Sequence, residues 1–416
     1  MTAPDSSPPG PAADPASPAT FSPPALPLLV VCLASFSSLA SMRACDSLLP
    51  ILARDFATSA GAAAQTVSAF ALAYGVVQFL VGPLGDRHGR LRVMAAACGL
   101  AAVANVAVML APTLPAMTGA RVLAGAASGG IVPLSLALIG DTVAFERRQA
   151  TLAQLMLATN MGMMAGLWIG GVLAEALGWR AVFATLACGF AAVAVALLRA
   201  ALRTGNLPAH LAAQQGGVRQ ALGGFVEVLR IRWARWVVVL VGLEGALVFS
   251  TLAFVPTFLH DRFGLSLAQA GAVMALYAAA GLAYAPLAGR LAQALGSRRQ
   301  AIGGASAIGL GAALLALSPQ WAWAMPACLL AGLGFFMLHS TLQLHATQMA
   351  PERRATGISL FVVSLFAGQA IGVSLAAWVV DHASVRAVFA CTAVALPLLG
   401  LALRHGLARH APGPAG

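Results

Sequence analysis

The sequence predicts an all-α membrane protein of twelve transmembrane helices in two parallel six-helix halves. Three observations carry that prediction: long apolar runs, a lopsided distribution of arginine, and an internal repeat at one offset. Of the 416 residues, 60% are hydrophobic and only 9% charged, and the mean hydropathy is +0.85. A soluble domain carries roughly 45–50% apolar residues. Apolar stretches of about 18 residues or more recur along the chain, each long enough to cross a ~30 Å hydrocarbon core.

In chain order, the first 27 residues are rich in Pro, Ala and Ser and contain no Arg. They read as a disordered cytoplasmic tail rather than a signal peptide, which would start with positive charge. Twelve spans follow, each bounded by Gly, Pro or charge: roughly 28–52, 62–84, 92–112, 115–142, 148–175, 179–200, 236–260, 267–288, 301–318, 322–349, 354–380 and 385–403. The first six form a bundle over 28–200 and the last six a bundle over 236–403. Residues 201–235 read as a cytoplasmic linker. Its end, FVEVLRIRWARW (225–236), mixes Arg230, Arg232 and Arg235 with Val, Leu, Ile and Trp. Such a segment suits a helix lying in the membrane interface, a plain solvated linker being the competing reading. Residues 404–416 read as a second cytoplasmic tail.

Orientation follows from the arginines, which supply all of the 24 cationic residues. Assigning alternate loops to alternate sides puts eighteen on one side and four on the other (Arg54, Arg180, Arg262, Arg386), with Arg43 and Arg121 inside spans. The rich side, with both termini, is expected in the cytoplasm of a bacterial inner membrane. The net charge of +11 thus reflects topology, and no nucleic-acid partner is expected.

The repeat supports two halves. FERRQAT (145–151) returns as PERRATG (351–357), GWRAVFA (178–184) as SVRAVFA (384–390), and LPILARDF (49–56) as VPTFLHDR (255–262), all at an offset of 206 residues. Such an offset spans six helices, an even number, so both halves share one orientation. That arrangement belongs to transporters whose halves rock around a midplane site.

Function classes narrow by exclusion. The sequence has no phosphate loop, zinc-type His spacing or Gly-x-Ser-x-Gly elbow, so no enzyme, cofactor or metal site is expected. Without a nucleotide site, energy would come from an ion gradient or from the substrate's own gradient. The six cysteines lie in apolar runs without paired spacing and read as small buried hydrophobes.

Between spans two and three lies GPLGDRHGRLRVM. Glycines there allow a tight turn. Asp86 is expected near the N-terminus of the third helix, where the macrodipole favours a carboxylate, with Arg87 and Arg90 able to pair with it. Gly82, Leu84, Asp86, Arg87, Gly89 and Arg90, with Gly85 between, resemble the signature loop of the major facilitator superfamily. With twelve spans and the two-fold repeat, the resemblance covers nearly the whole chain. It implies the major facilitator fold and a gating role for this loop at the contact between the halves. The second half departs from the motif: its weaker echo, APLAGRLAQALGSRR (285–299), aligns at an offset of 203 and has Gly289 in the place of Asp86.

Polar groups inside the membrane are costly and are functional candidates by default. Arg43 and Asp46 share a face of helix 1 by their i,i+3 spacing. Arg121 of helix 4 falls at similar depth, giving an Arg–Asp–Arg cluster in the outer half of the bilayer. Asp46 reads as a proton acceptor, a static fastener between helices 1 and 4 being the alternative. Phe249 and Leu252 occupy the repeat positions of Arg43 and Asp46, so the charges are not duplicated. Glu244 in helix 7 is a second titratable candidate. In helix 5, Gly162, Gly166, Gly170 and Gly171 form a small-xxx-small pattern for close packing. That run resembles the helix 5 signature of proton-coupled antiporters, with Gly166-Leu167 where a Gly-Pro step would stand. His339 and Gln343, four residues apart in helix 10, share a face. With Tyr74, Gln78, Asn160 and Trp168 they are candidate substrate contacts. Asp141, at the inner end of helix 4, is expected near Arg147 and Arg148.

The combined expectation is a monomeric, multi-pass secondary transporter that exports a small molecule, a drug, sugar or metabolite, in exchange for protons. It resembles the drug and metabolite exporters, including sugar and arabinose efflux-type permeases. An uncoupled facilitator or importer, and a non-transporting membrane sensor, are the alternatives.

Overall fold

The computed structural model describes residues 28–204 and 218–410. The 1–27 tail, the middle of the linker and residues 411–416 lie outside them. Every regular element among the described residues is helical. In chain order these are α1 (Leu28–Arg43), α2 (Leu49–Asp55), α3 (Ala60–His88), α4 (Arg90–Met109), α5 (Leu114–Ser128), α6 (Ile131–Thr142), α7 (Phe145–Leu177), α8 (Trp179–Thr204), α9 (Val218–Arg230), α10 (Arg232–Phe263), α11 (Leu267–Tyr284), α12 (Ala288–Leu317), α13 (Ala324–Ala346), α14 (Arg354–His382) and α15 (Val385–His410).

The first expected span is two helices rather than one. Pro50 is the physical cause. A proline has no N–H to give and its ring clashes with the carbonyl four residues earlier, here that of Asp46. The chain leaves helix after Arg43 and re-enters with Pro50 in the first turn of α2, where a missing N–H is tolerated. The fourth span breaks the same way. α5 and α6 part at Gly129 and Gly130, with Pro133 four residues beyond Gly129.

Among the described residues, ten helical runs are long and apolar enough to cross a membrane, and α1 is a shorter apolar helix. That count differs from twelve at two places. One is the broken first span. The other is the 51-residue run Leu267–Leu317, about 77 Å long at 1.5 Å per residue and so too long for a single crossing. It contains a 3₁₀ turn at Ala285–Leu287 and a break at Gly296, whose φ is +66°. The expected spans 267–288 and 301–318 fall on either side of Gly296. Further along, α15 continues past Arg404, where a tail is expected. The stretch 225–236 is divided, its start ending α9 and its last five residues opening α10. From α9, Phe225 lies 4.5 Å from Phe79 of α3 and Glu227 pairs with Arg353.

The helices pack as two sets. In the first, α4 lies on α8, α1 on α7 and α3 on α5; in the second, α10 lies on α14 and α12 on α13 and α15. The pairs α3–α14 and α7–α11 join the sets. Glycine makes the closest approaches. A methyl group at Gly162 or Gly166 of α7 would overlap the carbonyls of Phe36 or Ala40 on α1. The contacts recur 206 residues later, where Gly368 and Gly372 of α14 meet the carbonyls of Gly242 and Ala246 on α10. Gly171 meets Leu267 of α11, whereas the nearest atom to a methyl at Gly170 is 3.7 Å away. Gly166→Leu is therefore expected to cost about 3 kcal/mol, at the upper end for overpacking. In detergent its melting temperature should fall well below that of wild type, while Gly170→Ala melts with wild type. Equal melting of the Leu variant would remove the packing account.

Arg54, Arg180, Arg262 and Arg386 stand in the terminal turns of α2, α8, α10 and α15 at one end; we refer to this as the Arg-poor end and to the other as the Arg-rich end.

Candidate functional site

The break in the first span builds the site. In a continuous helix the carbonyl of Ser41 would bond the N–H of Cys45. Here it accepts instead from Nη1 of Arg121, at 3.0 Å. Arg121 Nε also donates to the carbonyl of Thr66 at 3.4 Å, and its guanidinium lies 4.1 Å from the Phe70 ring centroid. A cation at the end of α1 suits the negative pole of a helix. The second break is tied back in return. Ser38 of α1 donates to the carbonyl of Ser128, the last residue of α5, at 3.1 Å. Two proline-broken helices thus satisfy each other's loose carbonyls inside the bundle, as a membrane interior requires.

Arg43 ends α1 and Asp46 lies in the break. Arg43 Nη1 meets Asp46 Oδ2 at 3.2 Å, with both side chains buried. Arg121 lies within electrostatic reach of Asp46 but donates to backbone carbonyls. The expected three-membered cluster is therefore an ion pair beside a capping arginine. The Arg43 guanidinium also rests 4.5 Å from the ring centroid of Phe249, a cation–π contact with its own repeat position.

A second pair stands in the other set. Glu244 is fully buried, and its Oε2 accepts from Nδ1 of His339 at 3.0 Å. The His339 ring lies 5.0 Å from Phe335 and 5.3 Å from Phe361. Sequence reasoning named Glu244 and His339 without joining them. The signal was available, because a carboxylate buried in a membrane needs a partner and His339 is on a span of the same half. Aromatic rings connect the two pairs. Phe249 lies 5.6 Å from Phe335, and Phe335 lies 5.8 Å from Tyr277. The Tyr277 hydroxyl is within electrostatic reach of both Arg43 and Glu244. Among the described residues, Asp46 Oδ1, Glu244 Oε1 and Tyr277 Oη are buried without a hydrogen-bond partner. Each carboxylate thus has one oxygen held by a base and one free to accept a proton or a donor.

Of the other candidate contacts, Tyr74 stacks at 5.9 Å on Phe70, the ring beneath Arg121. Tyr74 is buried 4.9 Å from Phe366 of α14. Asn160 donates to the carbonyl of Met156 on its own helix. Gln78 is half-buried, and Trp168 and Gln343 are exposed.

At the Arg-rich end the signature loop departs from expectation. α3 continues through Pro83 to His88 and stops at Gly89, whose φ of +86° an L side chain rarely adopts. Asp86 therefore sits in the last turn of α3, where the macrodipole disfavours a carboxylate, and not at the start of the next helix. Arg90 holds it, with Nη2 at 3.3 Å from Asp86 Oδ1 and Nη1 at 2.6 Å from Asp141 Oδ2 on α6. Asp141 thus pairs with Arg90, while Arg148 caps α6 through the carbonyls of Gly140 and Val143. A methyl at Gly85 would lie 2.6 Å from Leu134, whereas Gly82 has open space, and Arg87 is exposed. Arg90 joins α3, α4 and α6. Among the described residues its ion pairs stay within the first helix set. A cavity of about 860 Å³ lies beside this loop, lined by residues of α3, α4 and α5 including Leu84, Arg87 and Arg92, apart from the two buried pairs.

Comparisons with known proteins agree with this architecture. The family described as "Major Facilitator Superfamily" matches residues 31–361. A probable transporter of Streptomyces coelicolor is 29% identical, covering 86% of this chain and 81% of its own. A chloramphenicol resistance protein of Streptomyces lividans is 26% identical over 86% of this chain and 90% of its own. A multidrug efflux pump of Mycolicibacterium smegmatis is 34% identical over a shorter stretch, 32% of this chain and 27% of its own. Among solved structures, the nucleoside transporter NupG aligns with a TM-score of 0.76 at 16% identity, covering 90% of this chain and 99% of that one.

Proposed function

Because this chain belongs to the major facilitator superfamily and is a multi-pass membrane transporter, not an enzyme, we propose that it exports a small molecule in exchange for protons. The observation that carries the reading is the pair of buried carboxylates, Asp46 and Glu244, each with one oxygen bonded to a base and the other without a partner among the described residues. A proton on either free oxygen cancels the carboxylate charge without first displacing Arg43 or His339. That change weakens the hold on the basic partner and biases the balance between inward- and outward-facing states. The halves are α1–α8 and α10–α15, a division supported by the glycine contacts that recur at the repeat offset. The arginine asymmetry supports a cytoplasmic Arg-rich end, and the resistance and efflux relatives support export. Arg90 then acts by stiffening the first half at its cytoplasmic end.

An uncoupled facilitator is the second reading, favoured by the complete burial of the Arg43–Asp46 pair. Purified protein in liposomes with an internal pH dye separates the two. Lipophilic cations, sugars, amino acids and organic anions are added singly under an imposed proton gradient. Substrate-dependent proton flux is expected, its sign giving the direction. Substrate movement with no proton flux would leave the facilitator. In the same assay Glu244→Gln is expected to lower the ratio of protons to substrate moved, and an unchanged ratio would remove Glu244 from the coupling path.

A further inference from the structure

The two seams that join the helix sets end, at the Arg-poor end, in a matched pair of bonds. In one, Asp381 from the last turn of α14 accepts from Ser59 Oγ at 2.7 Å and from the Gly61 N–H at 3.1 Å, at the start of α3. In the other, Glu175 near the end of α7 accepts from Ser266 Oγ at 3.1 Å and from the Ala268 N–H at 3.2 Å, at the start of α11. Glu175 and Asp381 are 206 residues apart, the repeat offset. Each serine is also the cap of its own helix, accepting from Ala62 N–H at 3.0 Å or Gln269 N–H at 3.2 Å. Its hydroxyl oxygen thus serves one helix set while its hydrogen serves the other. The first N–H groups of a helix lack internal partners and sit at the positive pole of the macrodipole, so each carboxylate finds its countercharge in the opposite set. Among the described residues neither carboxylate has an arginine or histidine in salt-bridge range. Both are exposed, so water can replace these bonds at little cost when the sets part. Behind them the seams close tightly. A methyl at Gly61 would overlap Asp381 and crowd the Ala377 carbonyl, and one at Gly171 would overlap the Leu267 carbonyl.

We propose that Glu175 and Asp381 are the two catches of the outer gate, holding the Arg-poor side of the path shut in this conformation and releasing it when that side opens. The proposal rests on the alternating-access reading, with the Arg-poor end facing outward. The catches act together, because each fastens the same two rigid sets.

A cysteine at Ala377, which is 3% exposed at the α3–α14 seam, reports opening. The full chain carrying Ala377→Cys is labelled from outside cells with a membrane-impermeant maleimide, and the chain without the reporter gives the background of the six native cysteines. Asp381→Asn is expected to raise the labelling rate several-fold. Glu175→Gln, at the other seam, is expected to raise it too, and the double variant further. A rise with Asp381→Asn alone would mean local loosening and would overturn the proposal, as would unchanged rates throughout. If Asp381→Asn fails to reach the membrane, Glu175→Gln decides by itself, since it leaves the labelled seam untouched. Labelling needs neither substrate nor a proton gradient, so these outcomes stand whether or not transport proves to be proton-coupled.

Discussion

Asp46→Asn is expected to lower substrate-driven proton flux in liposomes at least about tenfold, the equivalent of 1.4 kcal/mol or more, while substrate exchange without a gradient persists. Asparagine copies the shape of a protonated aspartate. Its carbonyl oxygen can still accept from Arg43, but the site can no longer gain or lose a proton. The substitution also leaves the Arg43 guanidinium buried without its countercharge, and breaking a buried pair by removing one partner costs roughly 3–5 kcal/mol. The cation–π contact with Phe249 at 4.5 Å offsets part of that. Arg43→Gln combined with Asp46→Asn should therefore recover much of the lost melting temperature and none of the coupling. Proton flux at the wild-type level in the stable double variant would show Asp46 to be a fastener.

Arg121→Ala is expected to do the opposite, losing stability and sparing coupling. It removes the donors to two buried carbonyls, those of Ser41 and Thr66, at about 1–3 kcal/mol each. The contact over Phe70 is lost as well. We expect a large fall in melting temperature and in folded yield, with proton flux per folded molecule near wild type. Arg121→Lys should recover only part, because an ammonium lacks the planar fork that reaches two acceptors. A stable Arg121→Ala protein with no coupling would return Arg121 to the proton path.

The long apolar runs, the charges within them and the 206-residue repeat were legible because a membrane constrains length and polarity along the chain itself. The breaks at Pro50 and Pro133 were legible in principle. Apolarity continues straight through both prolines while the helix does not, so hydropathy reads a single span at each. Gly82, Pro83 and Gly85 read as a turn, which puts Asp86 at the start of the next helix, whereas α3 runs on to His88. The Arg43–Asp46 contact could be read from local spacing. Glu244–His339 and Arg90–Asp141 could not, because each depends on which helices become neighbours. Glu175 and Asp381 stood in plain view beside GWRAVFA and SVRAVFA at the repeat offset, but a carboxylate at a loop draws no notice until the helix start opposite it is known.

Arg43 and Phe249 touch although they hold equivalent positions in the two halves. A position that meets its own counterpart lies where the symmetry between the copies runs, so whatever residue the ancestral unit carried there would have faced itself. Two arginines in those places would bring like charges within a few ångströms in a dry interior, a strongly repulsive arrangement. An arginine facing a phenylalanine turns the same encounter into attraction. Unlike residues at this one repeat position are thus what lets a charge be buried where the two copies of the repeat meet.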